Sequence, residues 1–319
     1  LSAGMCSRLR PLTNDKPKCM IKLLGQTLIE RQIKIFHSYG INDITIVTGY
    51  RGEIIDIPDV NYVKNENYET TNMNESLFCT LEPTNSPVLV TYSDIVFEQK
   101  IIQQMLEITD GIRLAVNLNW KKYYQNRKNH PLSEAENVLV ENGRILQIRK
   151  NISKSLENQQ IGEFLGIMMV SSEHVKILLE RYSYLKKNHT GTFHNSSSLS
   201  NAYITDMFQE IINCGININP VFTEGRWFEI DTPEDLKNAE KLMAVHGPTA
   251  LWSTCHAIFL CGTPGESAAG KEKYNQNNLT LAQEYRDKFV AESGWNLAND
   301  VIEMVSNTSY QSHRDRSLI

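Results

Sequence analysis

Apolar and polar positions switch repeatedly between two periods from the N-terminal loop to about residue 244. Ile29, Ile33 and Phe36 recur at i, i+4 and i+7, which predicts an amphipathic helix. Thr27 and Glu30 form a T-x-x-E capping box at its start, and Gly40 supplies a stop. "DITIVTGY" (43–50) is short and β-branched, hence a strand. "PVLVTYSD" (87–94) is nearly continuous in apolar residues and predicts a strand covered on both faces. "EQKIIQQMLEI" (98–108) reads as a helix and "RLAVNLN" (113–119) as a strand. This alternation predicts an α/β layer fold with a mixed, mostly parallel sheet flanked by helices.

The middle of the chain breaks the rhythm. "NVLVENGRILQIR" (137–149) places Asn142 and Gly143 between two apolar runs, a type I′ hairpin signal. "GEFLGIMMV" (162–170) is a strand, and Ser172 caps a helix over about 173–187. "KKNHTGTFHNSSSLSN" (186–201) is polar and Ser-rich and reads as a mobile loop. "YITDMFQEIINCG" is helical and ends at Gly215. "RWFEID" is a strand that stops at Asp231, followed by a helix with Thr232 as N-cap, Pro233 in its first position and acids in its first turn. Beyond about residue 246, Gly, Pro, Ser and Asn surround a short apolar core, "AIFL". The organisation read from the sequence is a domain over 1–244 and a tail over 245–319, a linker or the stub of a fused domain. No internal repeat is visible.

Composition narrows the function classes. The formal net charge is -5, so nucleic acid is not an expected partner, and groups that handle phosphate must be clustered locally. No apolar run reaches the length of about 18 residues that a membrane span needs. The six cysteines include no C-x-x-C pair, which reads as reduced thiols in a cytoplasmic protein rather than a disulfide frame or a zinc site.

Three stretches carry candidate chemistry. In "LSAGMCSRLRPLTNDKPK" (1–18), Gly4 lets an anion approach the backbone, and Arg8 and Lys18 bring charge. A solvated basic loop is the plain alternative. Asp94 and Asp231 end two strands, with Glu229 two residues before Asp231 on the same face. Carboxylates at the carboxyl ends of parallel strands sit where open α/β sheets bind ligands and can hold Mg²⁺. Asn72, Asn74 and Ser76 cluster before an apolar helical stretch, where they either read a nucleobase edge or cap the helix. "GESAAGKE" (265–272) is nearly a Walker-type phosphate loop, but Glu272 stands where the hydroxyl belongs.

The opening loop resembles the signature of nucleotidyltransferases that activate small phosphorylated molecules with an NTP. It carries Arg8 and Leu9, then Pro11, Leu12 and Thr13, then Pro17 and Lys18. "YSDIVFE" and "GRWFEIDTPEDLKNAEK" resemble the two acidic motifs of that superfamily in the same order. "NENYETTNMNESLFC" is similar to its cytidylyltransferase branch, which acts on phosphocholine or 2-aminoethylphosphonate. "NWKKYYQNRKNHPLSEAE" and "YITDMFQEIINCG" look more like the phosphonate enzymes.

The resemblance covers about residues 1–244 and implies a Rossmann-like GT-A-type sheet. It implies transfer of CMP from CTP to 2-aminoethylphosphonate with release of pyrophosphate. Phosphocholine is the near alternative and a sugar 1-phosphate the distant one. An inactive nucleotide-binding module is the alternative from another class. The backbone of Ala3 and Gly4 is expected to cradle phosphates, with Arg8 and Lys18 catalytic. Asp94, Asp231 and Glu229 are expected to hold Mg²⁺, and Asn72 and Ser76 to contact cytidine. For the cationic end of the acceptor, Glu134 and Glu136 would pair an ammonium, whereas Trp120, Tyr203 and Trp227 would box a quaternary one. Lys150 and Glu163 fall where sugar-activating relatives contact acceptors. The partners are CTP and a small zwitterionic phosphonate or phosphate ester, and a homodimer is left open. Cys6 replaces a glycine usual in the loop and narrows it. In relatives the loop follows a buried apolar strand, of which only Leu1 is present. The expectation is therefore a truncated first strand and a loop weakly anchored on that side.

Overall fold

The computed structural model describes residues 1–246 except Met5, Cys6, Asn126, Lys154 and Glu224. The narrowing at Cys6, the tail and the 265–272 loop lie outside the described residues. Among the described residues, no helix is long and apolar enough to cross a membrane. Leu1 to Ala239 form one compact unit.

In chain order, a small hairpin of β1 (Lys22–Leu23) and β2 (Gln26–Thr27) leads into α1 (Leu28–Ser38). Then come β3 (Thr45–Thr48), β4 (Asn61–Lys64), α2 (Met73–Phe78), β5 (Val88–Thr91), β6 (Ile95–Phe97), α3 (Gln99–Leu106) and β7 (Ile112–Asn117). The hairpin β8 (Glu136–Glu141) and β9 (Arg144–Lys150) precedes the long β10 (Gln159–Val170). The described part closes with α4 (Ser172–Asn188), α5 (Ile204–Asn213), β11 (Ile218–Phe222), β12 (Trp227–Glu229) and α6 (Pro233–His246).

Residues 1–3 hold the main sheet together. Ser2 bridges Thr48 of β3 in parallel, with its N–H bonded to the Val47 carbonyl at 2.8 Å. On the other side the Leu1 amino group bonds to the Thr91 carbonyl at 2.8 Å, and Ser93 N–H reaches the Leu1 carbonyl at 3.3 Å. The spatial order is therefore β4, β3, residues 1–3, β5, β10, β7, β11, and β10 alone runs against the rest. The mostly parallel mixed sheet is as expected. The weak anchoring is not, because three extended residues suffice to pair with both neighbours.

β10 pairs with β7 along one edge, while its other edge is shared by β5 and by the β8–β9 hairpin. That hairpin turns through Asn142 and Gly143, both at positive φ (50° and 73°), as the type I′ signal requires. Helix faces close the core: Ile29, Ile33 and Phe36 of α1, Ile101, Ile102 and Met105 of α3, and Met207, Phe208 and Ile211 of α5 are buried. Each such side chain contributes on the order of 1.5–3 kcal/mol when fully buried.

Three local expectations change. The capping box at Thr27 and Glu30 is present, but α4 is capped by Ser171, not Ser172, because it is the Ser171 hydroxyl that reaches the His174 N–H. β5 is covered less than its apolar run predicts; Val90 is buried while Val88 and Leu89 are half-buried. The 186–201 segment is tied down rather than loose. Asp206 accepts from the Ser196 hydroxyl at 2.7 Å and from Asn195 N–H at 3.2 Å, and Phe193 is buried.

Candidate active site

Two turns of the N-terminal loop and two acidic segments distant in sequence meet above the carboxyl ends of the parallel strands. The loop after residues 1–3 carries Arg8 in a 3-10 turn, Ser7–Leu9. Leu9, 1% exposed, anchors that turn. A second 3-10 turn, Lys18–Met20, starts at Lys18 and is pinned by the buried Cys19. Asp94 occupies the turn between β5 and β6. β6 then pairs antiparallel with β12, and Ile230 N–H bonds to the Asp94 carbonyl at 2.9 Å, which draws Asp231 alongside Asp94. Glu98 fastens this ribbon by accepting from the Arg226 side chain and from its backbone N–H.

The result is a compact charge cluster. The Lys18 ammonium donates to Asp94 Oδ2 at 2.7 Å and to Asp231 Oδ1. Arg8 Nη2 donates to Asp231 Oδ2 at 2.6 Å. Burial alone would push the Asp231 carboxyl up, but Lys18 and Arg8 hold it below its usual value. Among the described residues, no lysine or arginine side chain forms an ion pair with the Glu229 carboxylate, and Lys18 and Arg127 act on it only from farther off. Burial and the neighbouring Asp231 and Asp94 push it well above the usual carboxylate range.

The donor set fits a hard divalent cation. Among the described residues, Glu229, Asp231 and His130 bring ligand atoms within 4.8 Å of one another, whereas the predicted Asp94 lies outside that group; the carboxylate oxygens are the ligand Mg²⁺ prefers. The second oxygen of Asp94, Oδ1, is buried with no hydrogen-bond partner among the described residues, an acceptor that a cation would satisfy. His130 is 2% exposed and lies beside the acids, with Nε2 3.4 Å from Glu229 Oε2 and Nδ1 3.3 Å from Asp231 Oδ2. Arg127 Nη2 lies 2.9 Å from His130 Nδ1. With that guanidinium donating to Nδ1, the neutral ring carries its proton on Nε2, facing Glu229. Burial and Arg127 depress the His130 pKa to about 4, so the ring is neutral near pH 7.

The remaining predicted residues separate into two groups. Ala3 is buried with its carbonyl accepting from Tyr50 N–H at 3.2 Å, and Gly4 is exposed at the loop. Glu134 joins the cluster at its rim, 4.0 Å from Arg8 Nη1, and pairs with Lys150 Nζ at 2.8 Å. The Lys150 ammonium also lies 5.2 Å from the centre of the Tyr203 ring. Glu136 accepts from the Tyr92 hydroxyl at 3.1 Å, and burial raises its pKa to about 7. Glu134 and Tyr203 thus flank a cation supplied by the chain itself, and Glu136 lies opposite that residue across the β8–β9 pair.

Trp120 and Trp227 do not complete an aromatic box. They are 5% and 3% exposed, and their indole N–H groups are spent on the Ile161 and Leu165 carbonyls of β10. Asn72 is the N-cap of α2, its Oδ1 accepting from Met73 N–H, and Ser76 Oγ accepts from Asn65 at 3.0 Å. The capped-helix reading of that stretch is therefore the one the structure shows locally.

Glu163 is 2% exposed, bonded to the Tyr124 hydroxyl, and raised to about 8 by burial. Its folded pKa exceeds its unfolded one, so the unfolded chain binds fewer protons between pH 4.5 and about 8 and stability falls as pH rises through that window. Glu136 acts in the same direction. Glu163→Gln is expected to flatten this fall, measured as melting temperature from pH 5 to 9. An unaltered pH profile would show that Glu163 is not the group responsible.

Sequence reasoning missed Arg127, His130 and Asp235. The available signals were the basic run "NRKNHP" and the T-x-x-D spacing of Thr232 and Asp235.

Comparison with known proteins shows what the chain is similar to. Residues 1–150 match the MobA-like NTP transferase domain family. The CTP:phosphoglutamine cytidylyltransferase of Campylobacter jejuni is 28% identical over 252 residues, which cover 74% of this chain and 96% of that protein. The choline-phosphate cytidylyltransferase of Streptococcus pneumoniae is 33% identical over 102 residues, 31% of this chain and 44% of that protein. Among solved structures, the Streptococcus pneumoniae CTP:phosphocholine cytidylyltransferase superposes with a TM-score of 0.57 at 21% identity, over 76% of this chain and 96% of that one. The inositol-1-phosphate CTP transferase of T. maritima gives a TM-score of 0.56 at 20% identity, over 76% of this chain and 92% of that one. At such identities the superpositions establish a shared fold.

Proposed function

We propose, for a chain whose residues 1–150 match the MobA-like NTP transferase domain family, that it transfers CMP from CTP to 2-aminoethylphosphonate and releases pyrophosphate. The observation that carries the reading is the convergence of Arg8, Lys18, Asp94 and Asp231 in one cluster at the strand ends. An inactive binding module has no need of all four. The cytidylyl choice is supported by the relatives, which are named as cytidylyltransferases.

In this reading an anionic phosphonate oxygen attacks the α-phosphorus of CTP. The new P–O bond forms as the bond from the α-phosphorus to the bridging oxygen breaks, and pyrophosphate leaves with that electron pair. The nucleophile is already charged and needs no base, so catalysis is positioning and charge stabilisation. Arg8 grips the departing phosphates through its forked guanidinium, while Lys18 neutralises charge at the α-phosphoryl group. Ala3 and Gly4 present backbone to the phosphates. Asp94, Asp231 and Glu229 would hold Mg²⁺, which supplies further neutralisation of the triphosphate when bound.

The acceptor end is assigned to Glu134, Glu136 and Tyr203. Glu134 and Tyr203 already flank the Lys150 ammonium and Glu136 lies opposite Lys150 across β8–β9, so the same groups suit the ammonium of 2-aminoethylphosphonate. Trp120 and Trp227 leave the assignment, since their faces are covered. Phosphocholine is the second reading, favoured by the pneumococcal relative and by the Tyr203 ring face.

The test is pyrophosphate release with CTP and Mg²⁺ across 2-aminoethylphosphonate, phosphocholine, phosphoglutamine and glucose 1-phosphate. The highest kcat/KM is expected with 2-aminoethylphosphonate. Turnover of phosphocholine or phosphoglutamine alone would replace the acceptor, and silence with all four would remove the reaction.

A further inference from the structure

Arg127 is nearly buried, its side chain 7% exposed, and its guanidinium reaches the acidic segment at 229–235 at two points. Its Nε donates to Asp235 Oδ1 at 2.7 Å. Its Nη2 donates to the Glu229 carbonyl at 3.3 Å and lies 2.9 Å from His130 Nδ1. The guanidinium carbon sits 5.1 Å from the centre of the Tyr124 ring. Asp235 in turn accepts from Asp231 N–H at 3.1 Å and Thr232 N–H at 2.9 Å through Oδ2. The backbone just before Asp231 and the one just after it are therefore held by the two ends of a single ion pair. The neighbouring residues reinforce the contact, since Glu234 Oε2 accepts from Lys128 N–H at 3.1 Å and Asn129 N–H at 3.2 Å.

We propose that Arg127 is a positioning residue for Asp231. It acts by fixing the turn that delivers the Asp231 carboxylate to Lys18, to Arg8 and to a divalent cation. A planar fork is needed here, because one donor must meet a carboxylate while another meets a main-chain carbonyl and an imidazole. An ammonium at this place has its three donors on one atom and lacks the fixed spread between Nε and Nη2 that meets the two sides here. The assignment rests on the reading of the cluster as a metal-assisted phosphoryl-transfer site. It also gives the "NRKNHP" run a role on the metal side, whereas resemblance alone pointed to the acceptor. The same segment runs on through Pro131 to Glu134, so the loop that holds the metal-side acid also carries an acceptor-side one.

The test compares wild type, Arg127→Met, Arg127→Lys and Asp235→Asn. Mn²⁺ binding is followed by electron paramagnetic resonance in the absence of nucleotide, together with kcat and KM for CTP. Arg127→Met is expected to weaken Mn²⁺ binding and lower kcat by roughly 10–100-fold, the range for residues that orient a metal ligand. KM for CTP should change by less than about threefold, because the phosphate loop is untouched. Arg127→Lys and Asp235→Asn should fall between, and they decide the matter if the methionine variant does not fold. Folded variants that bind Mn²⁺ as wild type does would overturn the assignment, as would a kcat loss no larger than the loss of folded protein. The Mn²⁺ titration needs neither turnover nor acceptor. Wild-type binding that Arg127→Met weakens, alongside silence with every acceptor, would remove the reaction and keep the positioning role. No Mn²⁺ binding by wild type would overturn both.

Discussion

Lys18→Ala is expected to lower the rate of pyrophosphate release by about 10²–10³-fold, the loss that follows removal of one preorganised charge-stabilising donor. Lys18 sits between two carboxylates, bonded to Asp94 at 2.7 Å and to Asp231. Its removal therefore does two things. The developing charge at the α-phosphoryl group loses a cation, and the two acids lose their shared counter-charge. Asp231, no longer held down by Lys18, keeps Arg8 as the nearby cation against the upward push of burial. The variant should accordingly melt lower than wild type in metal-free buffer and recover when Mg²⁺ is added, since a divalent cation can replace the missing charge. Steady-state assays and paired melting curves with and without Mg²⁺ check both parts. Wild-type turnover in a folded Lys18→Ala protein would show that the cluster is not the catalytic centre.

Gly166→Ala is expected to cost about 3 kcal/mol, from a left-handed residue that now carries a Cβ and from overpacking. Gly166 has φ of 72°, and a Cβ built there would lie 2.5 Å from Cδ2 of the Tyr92 ring. Tyr92 has little freedom to retreat. Its N–H bonds to the Gly166 carbonyl at 2.9 Å and its hydroxyl reaches Glu136. Gly215→Ala is the control, because Gly215 also has positive φ, 83°, but nothing within 4 Å of the added Cβ. Its cost should be near the conformational part alone, about 1–2 kcal/mol. Chemical denaturation of the pair separates the two contributions. Equal losses would show that Tyr92 moves aside freely.

The candidate cluster was legible where residue types stand together locally. Arg8 and Lys18 stand in one loop, and Asp94 and Asp231 each end a strand, so the residue types and their immediate context sufficed to mark them as candidates. The fold was legible for the same reason, as helix and strand periods alternate visibly. Strand direction is not encoded in a period, which is why the reversal of β10 could not be read from "GEFLGIMMV". Arg127 and His130 were illegible because their meaning depends on what the β6–β12 ribbon places beside them. The two tryptophans misled for the opposite reason. An indole near a polar loop reads as an exposed ring face until the carbonyl that takes its N–H is known, and here both partners lie on a strand about forty or sixty residues away.

The β6–β12 ribbon also sets an order of events. Lys18 and Asp231 are 213 positions apart, and the Lys18 and Asp94 pair spans 76. During synthesis or refolding, the lysine and its first acid can meet long before the second acid arrives. Loop closure over so long a span is slow, and it must be completed before the contact rewards it. Arrival of the second acid completes the cluster, so a partly folded chain that already has its sheet and helices still lacks a finished centre. Competence for chemistry should therefore return as a late phase, behind the recovery of secondary structure, with β12 docking on β6 as the event that separates them.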